Sequence, residues 1–211
     1  MNILFLSLTT FDSIQQRNIY TDLLREFVRN GHEIFAVCPI QRRENRPTTL
    51  IEENKVHILK VKTGNITRAG FIEKGMSTVL IASQFINAIK KYFPDVKFDL
   101  LLYPTPPITL ESVVRYFKKR DHAKTYLMLK DIFPQNAVDI GIMSTTGVKG
   151  LLYRYFRAKE KQLYAISDYI GCMSQANVDY VIKHNLEVDP TKVEICPNSI
   201  EVQDMSITAE E

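Results

Sequence analysis

Short apolar runs of strand character alternate with longer segments of helical periodicity along almost the whole chain. This alternation is typical of a parallel sheet whose strands are joined by crossover helices. The predicted strands are residues 3–8, 33–38, 56–61, 99–103, 125–129, 168–174 and 193–196. The predicted helices are residues 19–28, 77–93, 107–117, 148–167 and 175–184. The sequence therefore predicts an α/β fold, a Rossmann-like, doubly wound parallel sheet of six to seven strands with helices on both faces.

The length of the chain favours a single domain. Its 211 residues, of which 45% are hydrophobic, are enough for one sizeable core. We expect this domain to cover residues 1–200 and to be followed by a loose tail, residues 201–211, which has little apolar content. The stretch 41–54 is charged and interrupted by Pro47, so it is predicted to be a loop.

Composition and spacing exclude several classes of function. A formal net charge of +3, without an RNA-binding signature or zinc-finger spacing, predicts no nucleic-acid partner. The four histidines are far apart and form no HExxH motif, so no metal site is predicted. The three cysteines, each in or beside an apolar run, suit buried reduced thiols of a cytosolic protein. No apolar run is long enough to span a bilayer, which leaves peripheral membrane contact open.

The loop after the first predicted strand is one candidate for ligand binding. In open α/β sheets, ligands bind outside the carboxyl ends of the strands, and this loop carries Asp12 and Ser13. Ser13 and Gln16 also fit a capping box at the start of a helix. No glycine precedes Gly31, so a glycine-rich phosphate loop is excluded. The loop is either a capped helix start or a ligand contact.

The stretch TYLMLKDIFPQNAVDIG, residues 125–141, is a stronger candidate. An apolar strand ends there on Lys130 and Asp131, and the amides of Gln135 and Asn136 follow. An unpaired charge at the end of a buried strand is costly, so each charge must find a partner or water. There are two alternatives. Either Lys130 and Asp131 form a salt bridge while Gln135 and Asn136 cap a short helix, or these residues form the rim of a binding cleft. Ser174, after the next strand, is predicted to cap the helix that starts at Gln175.

The predicted helix 148–167 combines basic and aromatic side chains. Lys149, Arg154 and Arg157 are interleaved with leucine, tyrosine and phenylalanine. A basic, aromatic helix suits the surface of an anionic membrane. The alternative is a solvated face whose apolar stripe packs in the core. The membrane interpretation makes these three residues the predicted membrane-surface contacts.

Four motifs in order resemble the N-terminal domain of family-4 glycosyltransferases of the GT-B fold, especially the bacterial capsule and lipopolysaccharide type. They are LLREFVRNGHEIFAVCP, LLLYPTPPITL, LKDIFPQNAVDIGIM and the segment from KEKQLYAISDYIGCMS to VEICPNSIE. The resemblance covers nearly the whole chain. The sequence departs from the family pattern at Phe11, Asp12 and Ser13, where a glycine pair is usual, and at Ser199, which replaces a glycine.

The resemblance implies the acceptor-binding half of an enzyme that transfers a sugar from a nucleotide-sugar donor to a lipid-linked or saccharide acceptor in surface polysaccharide biosynthesis. The donor would bind through a C-terminal domain that this chain lacks, so the chain alone would be inactive. No cofactor and no obligatory metal are implied. The enzyme would be cytoplasmic and peripheral, at the anionic inner face of the cell membrane.

The resemblance also assigns roles to the residues at the predicted cleft. Asp131 and Lys130 become candidate catalytic groups, and the candidate substrate-binding residues are Asp12, Ser13, Gln135, Asn136 and Ser174. A second hypothesis is a non-enzymatic partner subunit that anchors a separate catalytic chain at the membrane. A third, a free-standing small-molecule binder, is disfavoured because the glycine fingerprint is missing.

Overall fold

A computed structural model describes residues 1–65 and 71–202. Within these ranges the strands are β1 (Asn2–Leu6), β2 (Glu33–Gln41), β3 (Thr49–Glu53), β4 (Val56–Thr63), β5 (Leu100–Thr105), β6 (Lys124–Leu129), β7 (Tyr169–Cys172) and β8 (Val193–Ile195). The α-helices there are α1 (Ile19–Arg29), α2 (Phe71–Tyr92), α3 (Glu111–Asp121), α4 (Gln135–Asp139), α5 (Gly147–Ile166) and α6 (Gln175–His184). Short 3-10 turns lie at Arg42–Glu44, Ile108–Leu110 and Pro190–Lys192.

The strands form one sheet in the order β3-β4-β2-β1-β5-β6-β7-β8. Every neighbouring pair is parallel except β3 and β4, which are antiparallel. The predicted doubly wound α/β sheet is therefore confirmed. The chain turns from one direction of winding to the other between β1 and β5, where ligands bind in folds of this type. The carboxyl ends of the parallel strands lie along one edge of the sheet.

The sheet separates two apolar cores because successive side chains of a strand point to opposite faces. On β1, Leu4 and Leu6 belong to one core, while Ile3 and Phe5 belong to the other. The larger core receives buried side chains from α2, α3, α5 and α6, namely Phe85, Val113, Leu163 and Val181. The smaller core receives Leu24 of α1. Helices thus cover both faces.

The prediction of a loop over residues 41–54 was wrong for Thr49–Glu53, which is strand β3. This strand pairs antiparallel with β4, and Ile51 lies opposite Ile58. Leu50 and Ile51 are only partly buried and pack against the two cores from the edge of the sheet. A run of five residues with two glutamates shows little periodicity. This segment is a strand because its backbone hydrogen-bonds to the backbone amides and carbonyls of β4.

The start of helix α1 also differs from the prediction. Ser13 and Gln16 do not cap it, because α1 begins at Ile19 under Asn18. The side-chain oxygen of Asn18 accepts hydrogen bonds from the backbone amides of Tyr20 at 2.9 Å and Thr21 at 3.0 Å. The end of the helix follows the prediction, since Gly31 has a φ of 85° just after the last turn.

Candidate functional site

A cleft lies at the carboxyl end of β6. Its volume is about 230 Å³, and it is lined by Lys130, Asp131, Ile132, Gln135, Asn136, Asp139, Asn177 and Tyr180. The structure therefore brings together the four residues predicted from the stretch after β6. Asp139, Asn177 and Tyr180 were not predicted. Asp139 lies one helical turn after Gln135, a spacing that could have identified it.

Amides and carboxylates pair with one another along the cleft. Asn136 Nδ2 donates a hydrogen bond to Asp131 Oδ1 at 2.5 Å, and Gln135 Nε2 donates to Asp139 Oδ1 at 2.8 Å. The buried Asn136 Oδ1 has no hydrogen-bond partner. Asp131 Oδ2 forms no hydrogen bond or ion pair with any described residue. Asp131 Oδ2 can accept a hydrogen bond from a bound molecule that carries hydroxyl groups.

Lys130 is half-buried in the cleft and forms no ion pair within residues 1–65 and 71–202. Burial lowers the pKa of its ammonium group, because part of the water around the charge has been removed. Contact with an oxygen-rich or anionic ligand would stabilise the charged form of this partly desolvated group. The predicted alternative, a salt bridge between Lys130 and Asp131, is not what the structure shows.

Neighbouring elements hold the loop that carries these residues. Thr105 Oγ1, at the end of β5, donates a hydrogen bond to the carbonyl oxygen of Asp131 at 3.4 Å. The ring of Phe133 packs edge-on against Phe156 of α5, with 5.1 Å between the ring centroids. The loop is thus fixed from both sides, by β5 and by α5.

Ser174 caps α6, as predicted, and does not line the cleft itself. Its hydroxyl oxygen accepts a hydrogen bond from the backbone amide of Asn177 at 3.3 Å and donates one to Asn177 Oδ1 at 3.1 Å. Asn177 does line the cleft, and Tyr180 follows one turn later. Ser174 therefore orients a lining residue.

Asp12 and Ser13 have partners on the other side of β1. The Asp12 carboxylate contacts Nζ of Lys60, which is buried on β4, and lies 3.9 Å from Arg46. The hydrogen bond from Lys60 lowers the pKa of Asp12. Ser13 Oγ donates to Glu53 at 2.6 Å. Both residues lie at the same edge of the sheet as the cleft, but their hydrogen bonds and ion pairs do not reach the residues that line it.

Arg154 and Arg157 of α5 have different environments. Arg154 is exposed. Arg157 donates to Glu160 at 2.7 Å and to Asn185 Oδ1 at 2.6 Å, so its charge is used inside the protein. Burial raises the pKa of Glu160, whose side chain is only 4% exposed. The side chain of Lys149 lies outside the described part of the structure.

The same helix carries an exposed apolar surface, which we call the crest. It is formed by one face of the first half of α5 and by the segment that precedes the helix. Its residues, with the exposed fraction of each, are Ile140 69%, Ile142 68%, Val148 85%, Leu151 63%, Leu152 36% and Tyr155 43%. On α5 these positions recur every three or four residues, so they share one face. The basic residues of this helix were predicted from the sequence to contact a membrane surface, whereas its exposed apolar side was not predicted.

Within residues 1–65 and 71–202, no group of three or more histidine, cysteine, aspartate or glutamate side chains is placed to hold a metal ion. No helix in these ranges has the length and apolar content that crossing a membrane requires.

Solved structures of glycosyltransferases share the fold. Sucrose-phosphate synthase from Thermosynechococcus elongatus superposes with a TM-score of 0.65 at 11% identity, over 93% of this chain and 47% of that one. The glycotransferase of kitacinnamycin gives 0.56 at 9% identity, over 97% and 53%. UGT2 of Phytolacca americana, complexed with UDP-2-fluoro-glucose and pterostilbene, gives 0.53 at 9% identity, over 96% and 53%.

These similarities show the fold, which is that of one half of a GT-B glycosyltransferase. The chain spans about half the length of each of these structures. No protein-family model and no curated protein sequence matches it.

Proposed function

We propose that this chain is the acceptor-binding half of a glycosyltransferase. The complete enzyme moves a sugar from a nucleotide-sugar donor to a hydroxyl group of a lipid-linked or saccharide acceptor, in the biosynthesis of a surface polysaccharide. The observation that carries the proposal is the cleft after β6, which combines two carboxylates, three amides, a tyrosine and an ammonium group. It opens at the carboxyl edge of a sheet that has the fold of half a GT-B enzyme.

The cleft has the groups that such a reaction needs on the acceptor side. A bond forms between the acceptor oxygen and the anomeric carbon of the donor sugar, while the bond from that carbon to the donor diphosphate breaks. The proton of the acceptor hydroxyl is released together with the departing diphosphate. Asp131 Oδ2, which has no partner among the described residues, is available to orient this hydroxyl. Lys130 places a positive charge near the reacting sugar.

The other predicted residues support binding. Gln135 and Asn136 hydrogen-bond to sugar hydroxyls, and Ser174 orients Asn177 toward them. Asp12 and Ser13 contact the substrate from the first loop. In this proposal the donor diphosphate binds to a second domain, which follows a connection that begins in residues 201–211. Backbone amides and basic side chains of that domain stabilise the leaving diphosphate without an obligatory metal, so this chain alone is inactive.

The crest supports a peripheral location at the inner face of the cell membrane. Its exposed apolar side chains can enter the acyl boundary while Arg154 meets anionic head groups. We place Lys149 at the same surface on the basis of its sequence position. Tyr153, on the same helix, donates a hydrogen bond to Gln135 of the cleft at 3.2 Å. The helix that carries the crest therefore contacts the cleft through Tyr153, which suits an acceptor whose lipid stays in the membrane.

The substitution Asp131→Asn in the complete transferase tests the proposal. We expect turnover to fall about a hundredfold, because the amide presents a donor where the carboxylate accepts. The thermal midpoint should stay nearly unchanged, since Asp131 is only partly buried. Asp95→Asn, an exposed aspartate away from the cleft, is the matched control. Unchanged turnover in Asp131→Asn would exclude the catalytic role. Co-purification of a separate nucleotide-binding chain would instead favour the partner-subunit hypothesis.

A further inference from the structure

The segment after β8, residues 196–201, connects one edge of the sheet to helix α1; we call it the strap. It begins where the backbone amide of Cys196 donates to the carbonyl oxygen of Cys172 at 2.7 Å. In the sheet, β8 is separated from β1 by β7, β6 and β5, a distance of about 19 Å at the usual strand spacing. Six consecutive residues span at most about 20 Å when fully extended. The strap must therefore cross these strands in a nearly extended form.

The far end of the strap is held by Glu201, each of whose polar groups has a partner. Its backbone amide donates to Asp22 Oδ2 at 3.0 Å, and its carbonyl oxygen accepts from Arg17 at 2.6 Å. Its carboxylate accepts from Arg25 Nε at 3.0 Å and also contacts Arg29. Three cations and one anion thus surround one residue. Hydrogen bonds between charged groups are stronger than those between neutral groups. The contacts of Glu201 therefore hold this end of the strap strongly, although it lies near the surface.

Arg25, one of the arginines that bind Glu201, also holds the first loop. Arg25 and Asp22 form an ion pair whose side chains are only 9% and 5% exposed. Arg25 further donates to the carbonyl oxygens of Ile14 and Gln16, the latter at 3.3 Å. A shift of Glu201 would leave Arg25 with an altered set of partners while it still holds the loop. The strap, α1 and the first loop therefore share one buried cation.

The near end of the strap adjoins the cleft. Cys196 hydrogen-bonds to Cys172, which lies opposite Leu129 in the sheet, and Leu129 directly precedes Lys130. Tyr126, on the strand that leads to Lys130, donates a hydrogen bond from its hydroxyl to Glu194 of β8 at 2.7 Å. One end of the strap thus lies beside the cleft, and the other is tied to the loop of Asp12 and Ser13.

We infer that Glu201 is a positioning residue that fixes the strap across the sheet and ties it to the first loop. Its contacts set the relative placement of the two candidate binding regions, the cleft after β6 and the loop after β1. Loss of the Glu201 carboxylate removes the contacts to Arg25 and Arg29 and leaves only the backbone hydrogen bonds to Asp22 and Arg17, so the strap separates from α1 more often. The contacts themselves do not depend on the proposed function, whereas their effect on catalysis does.

A thiol reporter already present in the strap tests the anchor. Cys38 and Cys172 are buried, and burial raises the pKa of both thiols to about 11, so they react slowly with a chromogenic disulfide reagent. Cys196 is partly exposed and reports on the strap. We expect Glu201→Ala to increase its rate of modification about tenfold, since release of the strap exposes it more often. Cys196→Ser should remove the fast reaction.

Two further variants complete the experiment. Glu26→Ala is the control, because Glu26 is an exposed carboxylate that pairs with Arg29 at 3.3 Å but does not touch the strap; its reaction rate should equal that of the unmodified chain. Arg29→Ala removes one contact to Glu201 and leaves the buried Arg25 in place, so its rate should be intermediate. The inference is overturned if Glu201→Ala reacts no faster than Glu26→Ala.

The positioning role is tested separately in the complete transferase. We expect Glu201→Ala to raise the acceptor KM severalfold more than it lowers kcat, because the cleft chemistry is intact and only its surroundings have loosened. An unchanged KM would overturn the positioning role. The thiol assay needs no activity, so it remains readable even if the proposed transferase function fails.

Discussion

Arg157 and Glu160 show how single charged residues are accommodated inside this protein. The Glu160 carboxylate is almost fully buried and accepts hydrogen bonds from Arg157 and from the hydroxyl of Tyr164, both at 2.7 Å. Burial favours the protonated carboxyl group and raises its pKa. Arg157 offsets this burial and also joins α5 to Asn185, just after α6. Arg157 is basic and lies on the helix predicted to contact a membrane, but its charge pairs with groups inside the protein.

We therefore predict that Arg157→Ala lowers the free energy of unfolding by about 3 kcal/mol, because it leaves a buried charge without its cation. A carboxyl group whose pKa is raised on folding destabilises the protein when it ionises. The loss should therefore be smaller at pH 5 than at pH 8. Chemical denaturation at these two pH values measures it. The exposed Arg154→Ala is the matched control and should change stability little; equal losses in the two variants would contradict the prediction.

Residue types in order along the chain predicted part of the cleft. Lys130, Asp131, Gln135 and Asn136 stand out because charged and amide groups follow an apolar strand directly. Tyr180 could not be predicted in this way, since it lies more than forty residues further on and lines the cleft only because the fold brings α6 to it. The capping assignment of Ser13 failed for a related reason. Glu53, from a distant strand, accepts the hydroxyl hydrogen bond and holds the backbone of Ile14, so the helix starts later.

The two halves of helix α5 lie in different environments. Leu163 and Tyr164 are buried in the larger core, whereas Leu151 and Val148 are exposed on the crest. A single apolar stripe would make one helix face uniformly buried. The first half of α5 instead exposes apolar side chains at the surface of the protein. This exposure is consistent with the proposed contact between the crest and a membrane.

We predict that Leu151→Ser weakens binding to vesicles with anionic lipid about tenfold, because transfer of a leucine side chain from water contributes roughly 1.5 to 3 kcal/mol. Co-sedimentation with the vesicles measures the effect. Thermal stability should barely change, since Leu151 is 63% exposed. Leu186→Ser, at a leucine that is 90% exposed outside the crest, is the control. If both variants bind as well as the original chain, the crest does not enter the membrane.

Strand β3 is the element that the sequence did not reveal. Its five residues include two glutamates, and the preceding stretch contains Pro47 and three arginines. Such a composition favours a loop locally. Pairing with β4 overrides this preference, because an unpaired edge leaves a row of backbone amides and carbonyls available. The ends of the long, apolar, periodic segments were predicted to within four residues, except that α2 begins at Phe71, six residues earlier than predicted.

At the scale of the whole molecule, several carboxylates make stability depend on pH. The backbone amide of Glu201 lowers the pKa of Asp22, and Arg29 and Arg25 lower the pKa of Glu201. Burial would raise the pKa of Asp168, but hydrogen bonds from Lys118 and Thr125 lower it overall. A carboxylate with a lowered pKa stabilises the fold above its ordinary pKa, and this contribution is lost as the pH falls through the folded-state pKa.

We predict that the thermal midpoint is nearly constant close to neutral pH and falls as the pH drops below the ordinary carboxyl values of 3.8 and 4.5. Calorimetry across this range measures it. Asp168→Asn should have a lower midpoint at neutral pH and a shallower decline in acid, because one of the titrating groups has been removed. A midpoint that rises on acidification would show that Glu160, whose pKa is shifted the other way, dominates.

The α/β class, the order of most strands and helices, and the polar residues that end β6 could be predicted from the sequence. These features depend on periodicity and on residue types that are neighbours in the chain, so a local pattern is enough to predict them. The folded structure was needed to show that β3 is a strand, that α6 completes the cleft, that Arg157 is internal while the crest is exposed, and that Glu201 is bound to α1. Each of these depends on hydrogen bonds or burial between residues far apart in the chain, which no local pattern contains.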